Sequence, residues 1–333
     1  MSDDSIVVRL SKRKFLRECI GRPFLAVNEW VWKRLPASFK LLRPVRSYGG
    51  FLQSLVRLRT KRTQFHGTFF FRNRPALQLI CSLVTQRPQS SKLDLAVVGC
   101  SNGAEVYSIL WAIRSARPDL ELELNAIDIS EEIIQIARKG IYSLGENPLV
   151  QNAPIMERLN QSEMATLFDS ENGSNQVQIR PWISRGIRWH VADANDENLL
   201  ECFEPADIIV ANNFLCHMAP SDAEKCLRNL ARFVRPGGYI FVSGVDLDVR
   251  TRVAIALGWT PVPDLIEEIH NGDPCMLKDW PWQYWGLEPF DPRRSDWKTR
   301  YAAFFKIAAR EDVPETVSLK AQACAHENCG TSI

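Results

Sequence analysis

Between Leu93 and Val98 the chain is apolar at nearly every position, and the run breaks at Gly99 into a turn of small residues, Ser101, Asn102 and Gly103. A continuous apolar run of this length predicts a strand buried on both faces of a parallel sheet, opening through the turn into a helix. Similar runs predict further strands over 122–127, 187–191, 206–214 and 239–242. Between them lie amphipathic segments. Ala76, Leu79, Ile80, Leu83 and Val84 share one face of a helix starting near Pro75, and Ser221 with Glu224 marks a capping box for a helix over 222–234, closed by the R-P-G-G of 235–238. Strands alternating with helices predict an α/β fold with a mostly parallel sheet.

The turn after the first strand predicts a ligand site, because glycine admits close approach of the backbone and a helix N-terminus offers unpaired N–H groups. The second strand ends in Asp128, whose carboxylate suits the two hydroxyls of a ribose. The turn G-C-S-N-G-A-E lacks the full glycine pattern of dinucleotide sites and the lysine of a phosphate-cradling loop, which argues against a pyrophosphate. Glu105 would repel a phosphate and suit the ammonium of S-adenosylmethionine; alternatively it complements the helix dipole.

Charge divides the chain of 333 residues unevenly: its net charge is +2, yet residues 1–65 hold 15 Lys/Arg against 4 Asp/Glu. Phe24, Val27, Val31 and Leu35 recur at helical spacing there, and Phe51, Leu52, Leu55, Val56 and Leu58 suggest a second helix after Gly49-Gly50, flanked by Arg57, Arg59, Lys61 and Arg62. This basic segment is either a solvated face or a docking surface for an acidic protein, with nucleic acid or an anionic membrane as electrostatic alternatives. Without an aromatic-interleaved motif, nucleic acid is disfavoured. No apolar run reaches membrane-spanning length, the amino-terminal stretch lacks a secretory core, and the nine cysteines are odd in number without a C-x-x-C pair, so reduced thiols in the cytoplasm are expected. Cys324, His326 and Cys329 sit in a polar tail read as flexible, and no metal centre is expected.

Three motifs in register carry a resemblance. The segments G-T-F-F-F-R-N at 67–73, G-C-S-N-G-A-E-V-Y-S-I at 99–109 and N-A-I-D-I-S-E-E-I-I-Q-I-A-R-K-G-I-Y-S-L at 125–144 resemble, in order, the T-x-F-F-R motif, the S-T-G-E-E-P-Y-S turn and the following segment of the CheR family, the glutamate methyltransferases of chemotaxis receptors. The likeness runs from about Thr68 to Val242 and thins outside it. It implies a Rossmann-like class I methyltransferase fold, preceded by a small helical domain, with S-adenosylmethionine across the strand ends. His66, Thr68, Arg72, Gly99, Ser101, Gly103, Glu105, Asp128, Ile129, Asp193, Ala194, Asn212 and Asn213 are the expected cofactor-pocket residues, and Arg72, Asn213 and His217 the expected acceptor-side, catalytic residues. Within this set Glu105 would hold the methionine amine, Asp128 the ribose and Asp193 the adenine; Asp193 reads equally as a loop cap for the next helix.

The departures matter as much. Asn212 stands where the family has arginine, and His217 where it commonly has a pocket tyrosine; a histidine can take a proton from a hydroxyl acceptor, or merely bond a backbone carbonyl. The carboxyl-terminal third escapes the resemblance. Trp280, Trp282, Trp285 and Trp297 read as an aromatic wall for an apolar acceptor or as packing. The expected organisation is a basic helical domain over 1–65, a methyltransferase domain over 66–310 with an excursion over about 145–186 and a tryptophan-rich extension over 259–310, and a tail over 311–333. Glutamate methyl-ester formation leads; small-molecule O- or N-methylation and a non-catalytic S-adenosylmethionine-binding regulator are the alternatives.

Overall fold

A computed structural model describes residues 21–308 except 61, 63, 146–154, 171–174, 198, 200–203, 278 and 286; the Cys324, His326 and Cys329 cluster and the 311–333 tail lie outside the described residues. The chain divides into two compact units. Among the described residues, 21–60 group with Leu277–Glu288, and the second unit runs from Arg62 to Met276 and resumes at Pro289. This differs from the single 259–310 extension read from the sequence, for a physical reason: Trp280 packs edge-on against Trp32 with ring centroids 5.4 Å apart, and its Nε1 donates to Gln53 Oε1 at 3.0 Å.

The first unit is built on α1 (Gly21–Arg34) and α2 (Arg43–Arg59). Helix α2 runs straight through Gly49-Gly50 instead of starting after them. Gly49 is required because a Cβ there would meet the Trp280 and Trp32 rings at 2.3 and 2.7 Å.

In the second unit the elements follow as α3 (Arg74–Thr85), β1 (Lys92–Val98), α4 (Ala104–Ala116), β2 (Glu121–Asp128), α5 (Glu131–Lys139), β3 (Ile141–Ser143), α6 (Gln161–Leu167), β4 (Phe168–Ser170), β5 (Gln176–Ile179), β6 (Ile187–Val191), β7 (Ala206–Asn212), α7 (Pro220–Ala231), β8 (Val234–Ser243), α8 (Leu247–Ala256), β9 (Thr260–Pro261), α9 (Ile266–Asn271), α10 (Trp297–Tyr301) and β10 (Phe304–Lys306). The seven-stranded sheet has the order β6-β2-β1-β7-β8-β10-β9. Strands β6 through β8 are parallel, and β10 pairs antiparallel with β8 and β9. Helix-flanked and mostly parallel, this is the α/β, Rossmann-like fold expected from the strand–helix alternation. Two strands of the excursion, β4 and β5, join β3, which precedes it, in a three-stranded antiparallel sheet, β3-β5-β4.

Burial follows the pattern of the sequence. Six of the seven residues of β1 are buried, and Phe69, Phe70 and Phe71 are core, Phe70 lying edge-on to Tyr142 and Phe168. Two local readings need correction. Helix α7 starts at Pro220 with no side-chain cap; Ser221 bonds Asp222, and Glu224 pairs with Arg228 and Arg252 instead of closing a capping box. The R-P-G-G segment lies inside β8, which absorbs it through a register shift opposite 206–208. No described helix is long and apolar enough to cross a membrane.

Candidate active site

From β1 the chain winds outward to β2 and β6, then returns to β7 on the other side of β1, so the crossovers diverge at the β1/β7 boundary. In such sheets the crevice at that boundary, beyond the strand carboxyl ends, is where ligands bind. A cavity of ≈ 240 Å³ occupies it. His66, Thr68 and Arg72 line it from the segment before α3; Gly99, Ser101 and Glu105 from the first turn; Asp128 and Ile129 from the end of β2; Asp193 and Ala194 from beyond β6; Asn212, Asn213 and His217 from beyond β7. One expected residue is missing from this set, Gly103.

The first turn is closed by Gly99 and Cys100 donating backbone N–H to Ile127 O at 2.8 and 3.0 Å. Gly99 and Gly103 both have positive φ, 69° and 86°. Gly99 lines the cavity, in line with the close approach read from the sequence, and both glycines also serve packing. A Cβ on Gly99 would strike the Phe214 ring at 2.6 Å, and one on Gly103 would crowd Ala137, Tyr107 and Trp189. These glycines let the turn pack, and the packing shapes the cavity.

Asp128 is buried, and its two carboxylate oxygens accept from Ser101 N at 2.8 Å and Ser130 N at 3.1 Å. The backbone thereby fixes the carboxylate while each oxygen keeps a lone pair for a ligand hydroxyl. Ser101 Oγ donates to His66 O at 2.6 Å, joining the turn to the segment that carries Thr68.

Glu105 Oε1 accepts from Asn212 Nδ2 at 2.7 Å, and Asn212 Oδ1 is fixed by Ser243 N and Oγ. Burial raises the Glu105 pKa, with the Asn212 hydrogen bond and the charge of Arg72 acting against it. Among the described residues no Lys or Arg forms an ion pair with this carboxylate. A half-buried acid at a cavity wall without an ion-pair partner among the described residues fits a cationic group arriving with the ligand, as the ammonium of S-adenosylmethionine would.

Asp193 is exposed at the cavity rim, and its Oδ1 accepts from Asn195 N at 2.9 Å, so it closes a local loop turn, not the cap of the next α-helix, which begins at Pro220. The buried Asn229 of α7 holds this loop by donating to Ala194 O and Asp196 O at 2.9 and 2.8 Å.

On the other side of the cavity, Arg72 Nε donates to Asp273 Oδ2, while its terminal nitrogens make only long contacts, 3.4 Å to Gly67 O and 3.7 Å to Met276 Sδ. Arg158 reinforces the arrangement by donating to the Arg72 carbonyl and to Asp273 Oδ1. Both arginines hold Asp273 below its ordinary pKa against the opposing effect of burial. His217 sits on the 3₁₀ turn Leu215–His217, which Arg62 anchors by donating to Cys216 O and Met218 O and pairing with Asp246. Burial, together with Arg72, Arg62 and His66, pushes the His217 pKa down to about 4. Asn213 adopts φ 62°, its N–H donating to Ser243 O at 3.0 Å.

Asp273, Arg158, Arg62 and Asn229 escape sequence reading, since each acts through a partner far away in the chain. The aromatic lining comes from Phe65 and Phe214; no described tryptophan lines the cavity, so the tryptophan-wall reading finds no support. No described group of His, Cys, Asp and Glu could hold a metal ion.

The profile of the CheR methyltransferase SAM-binding domain matches residues 66–247, more than half of the chain and the whole of this cavity's lining save Gln64 and Phe65. The chain belongs to this family. It carries the family's S-adenosylmethionine-binding methyltransferase domain. Among curated relatives, the chemotaxis protein methyltransferase of Vibrio parahaemolyticus is 22% identical over 186 residues, covering 54% of this chain and 64% of that protein. The chemotaxis protein methyltransferase 1 of Vibrio cholerae is 23% identical over 189 residues with the same coverage, so the chain spans less than two thirds of these relatives. The solved N-methyltransferase NodS from Bradyrhizobium japonicum with S-adenosyl-L-homocysteine covers 57% of this chain and 74% of its own, at 18% identity and a TM-score of 0.32.

Proposed function

We propose that this chain is a methyltransferase that uses S-adenosylmethionine to esterify glutamate carboxylates on a protein. The observation that carries the acceptor is Arg72, which lines the cavity: its Nε is committed to Asp273, while its two terminal nitrogens make only long contacts and keep donors for an incoming carboxylate.

When bound, S-adenosylmethionine supplies a methyl group made electrophilic by its sulfonium. Glu105 would hold the amine, Asp128 the ribose hydroxyls and the Asp193–Ala194 turn the adenine. Arg72 orients the acceptor carboxylate, with Thr68 and Asn213 bordering the same space. A carboxylate is ionised at neutral pH and needs no base. His217 is suited to that demand and not to deprotonating a hydroxyl, because an imidazole with a pKa near 4 is a weak proton acceptor at pH 7. It stays neutral beside Arg72 and shapes the acceptor space. Rate acceleration then rests on alignment and exclusion of water around two opposite charges.

A cytoplasmic location belongs to the same proposal, and the described Cys81, Cys100, Cys216 and Cys226 are all unpaired thiols. The test is transfer of labelled methyl from S-adenosylmethionine into host-cell lysate, fractionated into protein and small molecules and then treated with mild base. Label in protein that leaves as methanol supports the proposal. Base-stable label among small molecules overturns the carboxylate acceptor, and tight cofactor binding without any transfer overturns the enzyme.

A further inference from the structure

Helices α1 and α2 bury one side and expose the other in an unusual way. Trp32, Leu52 and Val56 are buried, while Phe24, Val27 and Val31, spaced i, i+3 and i+7 on α1, are exposed, Val27 by 62%. On α2 the exposed residues are Tyr48, Phe51 and Leu58, the last by 78%, again along one stripe. Tyr48 Oη donates to Asn28 Oδ1 at 2.6 Å and its ring stacks on Phe51, so the two stripes meet in one apolar face. Trp30 beside it, and Leu41 and Leu42 in the connection, are also exposed.

The segment that carries this face is strongly basic. Residues 21–60 contain eight Lys/Arg and a single acid, Glu29, which is paired with Lys33 at 2.7 Å. The Arg34 guanidinium lies 3.8 Å over the Trp30 ring. An apolar surface of this extent on a water-exposed protein marks an interaction site, and its chemistry selects among partners. Two copies of the chain would bring two such cationic faces together, which repel. Nucleic acid or an acidic protein would satisfy the cations and leave the exposed valines, leucines and phenylalanines against charge. An anionic bilayer satisfies both: aliphatic and phenyl groups enter the acyl boundary, Trp30 and Tyr48 rest at the headgroups, and Arg34 and Arg43 meet the phosphates.

We propose that the α1–α2 face docks on an anionic phospholipid surface. The inference stands on the first unit alone and is independent of the acceptor. It concerns peripheral binding, in keeping with helices too short and too charged to span.

The full chain is sedimented with vesicles of phosphatidylcholine, with and without phosphatidylglycerol. Binding is expected to the anionic vesicles and to fall with added salt. Trp30→Ser with Phe51→Ser, and separately Arg34→Glu with Arg43→Glu, should each weaken it about tenfold or more, with S-adenosylmethionine affinity unchanged as the control for folding. Val27→Asn with Leu58→Asn repeats the apolar test if the first pair fails that control. Absence of anionic-vesicle binding overturns the proposal, as does binding indifferent to either class of substitution. Retention on polyglutamate without vesicle binding assigns the face to an acidic protein instead, and a lipid-free dimer abolished by Trp30→Ser with Phe51→Ser assigns it to a second copy.

Discussion

Asp273 accepts a hydrogen bond from Arg72 Nε across 201 positions of sequence, and its other oxygen accepts from Arg158 at 3.1 Å. The carboxylate is buried between two guanidiniums, so it fixes the plane of Arg72 and balances part of its charge. Asp273 is therefore a positioning residue for the acceptor side. Asp273→Asn should lower kcat/KM for the acceptor by about 10²-fold, the loss expected of a small misplacement, and lower stability by about 3 kcal/mol. The cofactor Kd should stay within about threefold. Separate titration of cofactor and acceptor checks this, and partial rescue by Asp273→Glu distinguishes orientation from a simple loss of packing.

His217 gives a pH prediction with a definite sign. Its folded pKa of about 4 lies below the ordinary 6.5, so between those values the unfolded chain takes up a proton that the folded chain refuses. Stability from this residue is complete above pH 6.5 and is lost as pH falls toward 4. His217→Gln should flatten the unfolding free energy across that window, measured by denaturant melts at several pH values. His217→Phe should retain activity on a carboxylate within about tenfold at pH 7, against the 10²–10⁴-fold loss that removal of a general base produces.

Gly244, at φ 57°, leaves room for Asn213: a Cβ there would lie 2.4 Å from Asn213 Oδ1 and 2.6 Å from its Cα. Because the second clash is with backbone, side-chain rotation does not relieve it. Gly244→Ala should cost about 1–3 kcal/mol in stability through strain and displacement, and should weaken acceptor turnover more than Gly237→Ala, which shares a positive φ, 80°, but where a Cβ meets nothing within 4 Å. Thermal melts with turnover assays of both variants check the ordering.

What the sequence discloses of this molecule is what it encodes locally. Strand β1, its glycine turn, Glu105 and Asp128 follow one another within a few dozen residues, so apolar runs and turn chemistry locate the cofactor half. Gly103 belongs to the same turn yet serves packing, a distinction made only by Tyr107 and Trp189 arriving beside it. Asp273 and Arg158 were invisible because an ordinary acid and an ordinary arginine acquire meaning only when folding places them around Arg72. In α1 and α2 the apolar period located the helices but not the covered side: Trp32, Leu52 and Val56 are inside while Phe24, Val27 and Phe51 are not. The tryptophans give the same lesson, since density alone does not say that Trp280 will pack on Trp32.

On the proposed function, the cavity reads the amino-acid end of S-adenosylmethionine through Glu105, a half-buried carboxylate held by Asn212. Calorimetric titration of S-adenosylmethionine into the wild-type chain and Glu105→Gln, with thermal melts of both without ligand, tests it most directly. Opposite signs are expected: affinity weakened by about 1.5–3 kcal/mol, as for a lost hydrogen bond to a charged group, and ligand-free stability raised, because a half-buried acid whose pKa desolvation raises has been neutralised. Equal affinity in the two proteins would contradict it.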